Sequence, residues 1–529
     1  MEGPFTRSQV AIILTGIMLE VFIGSISQMI VATAMPRIIT DLGGFEKYTW
    51  VITIYMITSA TVMPIAGKLS DMFGRKWLYV SGITIYITFS TLCGLSNSMA
   101  QLITFRGFQG LGFGTMMTLG MIIMADVFSP AERGKYLGFI SAVFGISSII
   151  GPTLGGYLTD FFSWRYCFFF NIPFGVIIIV LFVIFFPQIK SRGTHHRVDY
   201  PGIVTLTLLI LSLMLSLSWG GRTFEWKSFT IISMMIFAVI MLLLFIKFEA
   251  ASKDPVIPLD IFKNDIVAVS LVCVFIHGVS FFTCLTFTPL FLQGVMGMSA
   301  MKSGNLLSPM LLGSVTGSLL SGQALSRAGG HYKIQAWAGF LLIGIGFFLL
   351  SRMNPDTPGS IAVRNMVIVG LGNGIIMPLH MIAVQNSVPY SILGSVTASI
   401  NLVRSLGGIF ALAVYGSMMS NVFFSRFYGN LLPEARSALG EEKITSIARN
   451  PQALVNPEAQ QSLREMFSAI DNQGMILFNK MVDVLQDSLS SAITRIFLFS
   501  LFAVSFALVL NFFLREIPLR KTVKENPSF

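Results

Sequence analysis

Long apolar stretches recur along this chain from end to end, each closed by a polar connection. Runs such as FGVIIIVLFVIFF and IVAVSLVCVFI are typical. A helix needs roughly 20 mostly apolar residues to cross a bilayer. Fourteen segments meet that need: 9–35, 48–66, 77–96, 101–124, 136–159, 166–187, 201–219, 228–246, 266–291, 303–325, 334–351, 361–384, 391–416 and 491–514. The pattern predicts an all-α integral membrane protein.

The polar connections set an orientation. Fourteen spans put both termini on one side. With the termini in the cytoplasm, 18 Lys and Arg fall on that side and 7 in the short outer loops. That bias obeys the positive-inside rule. The stretch 417–490 becomes a long external loop, and EARSALGEEKITSIA and SLREMFSAI within it suggest short surface helices.

Composition agrees: 54% of the 529 residues are hydrophobic and 11% charged, against about 25% charged in a soluble domain. The first span is too long for a signal-peptide core, and no small-residue cleavage site follows it. The net charge of +10 is loop charge, so no nucleic acid partner is expected. Cys93, Cys167, Cys273 and Cys284 lie in or beside apolar spans and read as small buried hydrophobes.

The two ends of the chain echo each other. GKLSDMFG (67–74) returns as GQALSRAG (322–329), GLGFG (110–114) as GLGNG (370–374), and Gly155-Gly156 as Gly407-Gly408. The offsets are 255, 260 and 252, in the same order. Two six-helix halves are implied, 9–187 and 266–514, with two helices inserted at 201–246. Repeated halves around a central site are a common transporter design.

The decapeptide Gly67 to Lys76 (GKLSDMFGRK) carries one acid and three bases at a helix-to-helix turn. Gly67 and Gly74 permit a tight turn and close approach. Asp71 can sit at a neighbouring helix N-terminus, and Arg75 can reach Asp126 at the end of span 4. This stretch resembles motif A of the major facilitator superfamily, G-x-L-x-D-x-x-G-R-K. Further resemblances follow in order: Arg106 to Gly110 (RGFQG), Gly151 to Gly156 (GPTLGG), Trp164-Arg165 with Asn171-Ile172-Pro173, and Ile30 to Pro36 (IVATAMP). Val384-Gln385-Asn386 and Arg404 to Gly408 (RSLGG) follow in the second half. Together they resemble the fourteen-span drug:proton antiporters over nearly the whole chain.

The resemblance implies a major facilitator fold of two six-helix bundles plus two inserted helices. It implies that Gly67, Asp71, Gly74, Arg75, Lys76 and Asp126 form a cytoplasmic gate, and that Arg106 serves the proton or substrate site. It further implies that Gly145, Gly151, Pro152, Gly155 and Gly156 form a bendable, close-packed antiporter helix, a motif that favours export. Small residues let membrane helices approach closely in any case, so plain helix packing is the alternative for these glycines.

One position departs from the family. Its first-span signature usually begins with an acid, and here Ser27 stands in that place, in ISQMIV. Glu20 lies seven residues earlier, about two turns or roughly 10 Å along the same helix face. We expect Glu20 to replace the missing acid. Desolvation would favour its protonated form and a partner such as Arg106 its ionised form. A fixed Glu20–Arg106 ion pair is the competing arrangement.

Ser27, Gln28, Gln109, His277, Asn373 and His380 are candidates for the substrate cavity, although a packing role is the favoured reading for each histidine. Span interiors 9 to 14 hold no Asp or Glu, which disfavours a dicationic substrate. No metal, nucleotide-phosphate or nucleophile pattern appears, so neither an enzyme nor a cofactor is expected. The sequence therefore reads as a proton-coupled exporter of lipophilic drugs or amphiphilic small molecules. Its expected partners are that substrate, protons and membrane lipids, and it is expected as a monomer in a bacterial cytoplasmic membrane. Two alternatives stand beside it: an exporter or flippase of a lipid or endogenous amphiphile, and a transporter-shaped receptor or scaffold without flux.

Overall fold

The computed structural model describes residues 6–43, 48–187, 199–221, 223–252, 254–298, 300–328, 331–431, 464 and 474–520. Fourteen long helices are found among them. They are α1 Arg7–Leu42, α2 Tyr48–Phe73, α3 Arg75–Gly94, α4 Met99–Val127, α5 Pro130–Phe161 and α6 Tyr166–Phe185. The inserted pair is α7 Tyr200–Trp219 and α8 Phe229–Ala251. The rest are α9 Asp265–Gly294, α10 Ala300–Ala328, α11 Tyr332–Ser351, α12 Gly359–Ser387, α13 Leu393–Asn430 and α14 Gly474–Leu510. With no water in the hydrocarbon, a span must satisfy its own backbone, and a helix does so. Thirteen of these helices are long and apolar enough to cross a bilayer. The remaining one, α10, is rich in Gly and Ser and is packed between α5 and α12.

Two boundaries differ from the sequence reading. Helix α13 does not stop near 416 but runs through a π-turn at Ala411–Tyr415 to Asn430, and α14 starts at Gly474 rather than near 491. Both extensions are amphipathic. Phe423 and Phe427 in one, and Met481, Leu485 and Leu489 in the other, are buried while polar residues face out, so their average apolarity is modest. The surface helices expected inside 417–490 fall almost wholly outside the described residues.

The repeat is visible in the packing. Within the first six helices, α2 packs on α4, α3 on α4 and α6, and α1 on α5 and α6. Shifted by eight, the same pairs recur: α10 on α12, α11 on α12 and α14, and α9 on α13 and α14. The two groups meet along α2–α13 and α5–α10, which are counterparts under the same shift. The close approaches match too: a side chain on Gly67 would strike Gly394, and one on Gly322 would strike Gly134. The runs GLGFG and GLGNG act alike, since side chains at Gly114 and Gly374 would run into the Ser59 and Ser314 carbonyls. Helices α7 and α8 pack as a pair, with α7 against α2 and α13.

Candidate functional site

The turn between α2 and α3 forms a latch. Gly74, with φ of +92°, makes the bend, a conformation glycine adopts without steric cost. Arg75 Nη1 lies 2.7 Å from the Asp71 carboxylate, and its Nε lies 3.1 Å from Asp126. Asp71 also accepts from the Ser395 amide at 3.1 Å, in the first turn of α13, where the helix dipole favours an anion. Tyr390 donates to the other Asp126 oxygen at 2.6 Å. Burial and the Asp126 carboxylate hold the Tyr390 hydroxyl above its usual range, so it remains a donor. Arg133 donates to Gln385 at 2.8 Å and to the Ala125 and Phe128 carbonyls. The bonds at Asp71, Asp126 and Arg133 join the first six helices to the last six, and the latch end is shut. Lys76 lies outside this network and donates to the Val183 carbonyl at the end of α6.

The buried polar groups of the first six helices sort differently from the expectation. Glu20 is 1% exposed and accepts from Tyr79 at 2.5 Å. It rests against Gly120, where a side chain would collide with its carboxylate. Arg106 is not its partner. The Arg106 guanidinium stacks 4.1 Å over the Tyr55 ring and donates to the Val51 carbonyl at 3.2 Å and to Gln109 at 2.9 Å. The Glu20–Arg106 contact weighed from the sequence is absent, because each group finds a nearer neighbour on another helix. Tyr79 carried no signal of this role in the sequence.

A cavity of about 200 Å³ lies between the two groups. Met and Phe are the commonest apolar residues of its wall, including Met56, Met117, Phe113, Phe144, Phe281 and Phe282. Of the six candidates, Gln28, His277 and Asn373 line it. The other three candidates do not. Ser27 is held by Asn171, Gln109 by Arg106, and His380 by Ser270 at 3.1 Å, all inside helix packing. His277 meets the Asn373 carbonyl at 3.2 Å. Arg404 lines the cavity as well. The sequence offered it as an intramembrane Arg, a residue usually functional in lipid, but it was read only as part of a family motif.

In α5, side chains at Gly151 and Gly155 would collide with α1, and one at Gly145 with Val315 of α10. Gly156 has open space beside it, so close packing does not explain that position. Pro152 faces outward.

Comparison with known proteins agrees with this arrangement. Residues 17–412 match the Major Facilitator Superfamily. The chain is 34% identical to the multidrug transporter protein MdtP of Bacillus subtilis (strain 168), over 99% of this chain and 97% of that protein. It is 32% identical to multidrug resistance protein 3 of the same organism, over 97% and 96%. Two solved structures share the fold. The human organic anion transporter MFSD10 (TETRAN) matches with a TM-score of 0.57 at 13% identity, over 94% of this chain and 99% of that one. A bacterial homologue of the human lysosomal transporter Spinster matches with a TM-score of 0.52 at 15% identity, over 96% and 98%. The chain belongs to the Major Facilitator Superfamily, a family of transporters rather than enzymes.

Proposed function

We propose that this multidrug-type transporter is a proton-driven exporter of lipophilic or amphiphilic small molecules that works by alternating access. The observation that carries the reading is a Met- and Phe-walled cavity behind a shut latch of buried ion pairs. Flexible Met side chains suit varied apolar ligands. A latch of discrete pairs can exist made or broken, which is what rocking of two halves needs. Both curated relatives named above are multidrug proteins. The latch and both termini would face the cytoplasm of a bacterial cell, and the protein would act as a monomer among membrane lipids.

Glu20 is the proton carrier in this reading. It is held by Tyr79 and has no cation partner among the described residues. Arg106 ties α2 to α4 instead. The test is proton movement in proteoliposomes containing wild type or Glu20→Gln, read with an entrapped pH dye while a lipophilic substrate is added. Wild type should move protons on substrate addition, and the variant should lose that response while still binding substrate. Equal proton movement in both would remove Glu20 from the mechanism.

Export of a lipid or endogenous amphiphile is the second reading. A side cleft of about 60 Å³ between α2, α7 and α13 shares Met56 and Ile409 with the central cavity. An apolar gap at that wall would let a membrane-dissolved molecule pass sideways. Lysolipid flux without drug flux would favour this reading over the first.

A further inference from the structure

The cavity wall is uneven in charge. Among the described residues, Arg404 is its one permanently charged side chain, and no Asp or Glu lines it. Among the described residues the guanidinium makes one hydrogen bond, Nη1 to the Met377 sulfur at 3.4 Å, and no described carboxylate forms an ion pair with it. A guanidinium carries five N–H donors, and a thioether sulfur is a weak acceptor. A bare cation in an apolar wall is costly unless something pairs with it.

The neighbouring polar groups do not supply a counter-charge. His277 is turned toward the Asn373 carbonyl, Ser405 donates to the Asn401 carbonyl, and the Asn373 amide donates to the Val369 carbonyl while its oxygen accepts from Ser280. None of them carries negative charge. By contrast, every acid near the membrane interior of the first six helices is already engaged: Glu20 by Tyr79, Asp71 and Asp126 by Arg75. Phe281 and Phe282 of α9 line the same cavity.

We propose that the cavity selects amphiphiles bearing an anionic group, with Arg404 binding a carboxylate or similar oxyanion and the Met and Phe wall taking the apolar body. Arg is suited to this because its planar fork matches two carboxylate oxygens. The same wall disfavours cations, which would meet Arg404 with no carboxylate to offset it. This inference names the substrate class of the exporter reading and rests on it only for the direction of movement.

The test uses three probes with one apolar body: dansyl-undecanoic acid, its methyl ester and the matched trimethylammonium. Binding is read by dansyl fluorescence on the full chain in detergent, and flux separately in proteoliposomes. The acid should bind at least about tenfold tighter than the ester or the cation, the scale of one charge-assisted contact. Arg404→Gln should erase that preference, while Arg404→Lys, which keeps the charge and reports on folding, should retain part of it. Equal binding of all three probes, or an acid preference that survives in Arg404→Gln, overturns the anion site even if flux is seen. Selective acid binding that depends on Arg404, without flux, sustains the site and sinks the exporter reading.

Discussion

The first six helices and the last six share a packing plan and differ in how they bury charge. Glu20 and Arg106 in the first group are turned into its own interior, where Tyr79, Gln109 and the Val51 carbonyl hold them away from the cavity. Among the described residues the last group has no fully buried ion, and its half-buried cation Arg404 stands on the cavity wall. The latch differs in the same sense. GKLSDMFG has its acid at Asp71, while GQALSRAG has Ser326 in that register. The glycine contacts Gly67–Gly394 and Gly322–Gly134 are nonetheless kept. A duplicated backbone thus carries two chemistries. In the proposed reading, one half would hold a proton and lock the latch end, and the other would meet the ligand.

The largest effects should come from exchanging the two buried charges. Glu20→Gln should abolish substrate-driven proton movement and leave the acid probe's affinity unchanged. Arg404→Gln should do the reverse, lowering acid affinity about tenfold while the neutral ester still drives protons. If either variant removed both properties, the division of labour would fail.

Next in size is the latch. Asp71 and Asp126 lie against Arg75 with little solvent access, and removing one member of a buried pair costs about 3–5 kcal/mol. Asp71→Asn should therefore favour the state open at this end. A cysteine at Ser25, on the cavity wall, should react with an impermeant thiol reagent from the latch side at least about tenfold faster in Asp71→Asn. The four native cysteines are buried and should stay silent. Ser326, in the matching register of the other half, should tolerate Ala with no such change. Equal labelling rates with and without Asp71→Asn would contradict a gating role for the pair.

A smaller effect is expected at Tyr79. Its hydroxyl bonds Glu20, and losing a hydrogen bond to a chargeable group costs about 1.5–3 kcal/mol. Tyr79→Phe should shift the pH midpoint of substrate-driven proton movement without moving the acid probe's affinity. A change in affinity with no change in the pH profile would mean that Tyr79 acts on the cavity instead.

How much of this was legible depended on the kind of signal. Spans were legible because a bilayer demands long apolar helices, and one rule covers the chain. The ends of α13 and α14 were not, since a stripe of Phe423, Phe427, Met481 and Leu485 reads as a mixed polar segment until its partner helix is known. In the latch, Asp71 at a helix N-terminus and Arg75 on Asp126 followed from charge and spacing within a short turn. Which helix Glu20 faces did not follow, because rotation about α1 depends on Gly120 leaving room and on Tyr79 reaching across from α3. Arg106 misled for the same reason: a buried Arg needs acceptors, and Val51 and Gln109 serve as well as an acid.

The smallest effect tests whether the last six helices brace the latch by other means. After α14 the chain turns back along this end of the molecule. Arg520 donates to the Gln385 and Val388 carbonyls at 2.6 and 3.0 Å, its amide donates to Asn386, and Asn386 donates to the Pro518 carbonyl. These acceptors lie at the end of α12, where carbonyls lack helical partners and a cation is favourable. Gln385 is also the residue that receives Arg133 from α5. Arg520 therefore steadies one side of a contact that the first six helices make. The guanidinium is partly exposed, so its loss should cost only about 1 kcal/mol. Arg520→Ala should raise latch-side labelling of the Ser25 cysteine a few-fold, well below the effect of Asp71→Asn. Combined with Arg133→Gln, which removes the other side of the same contact, it should add little further. Full additivity of the two would show that the C-terminal segment steadies α12 independently of the latch.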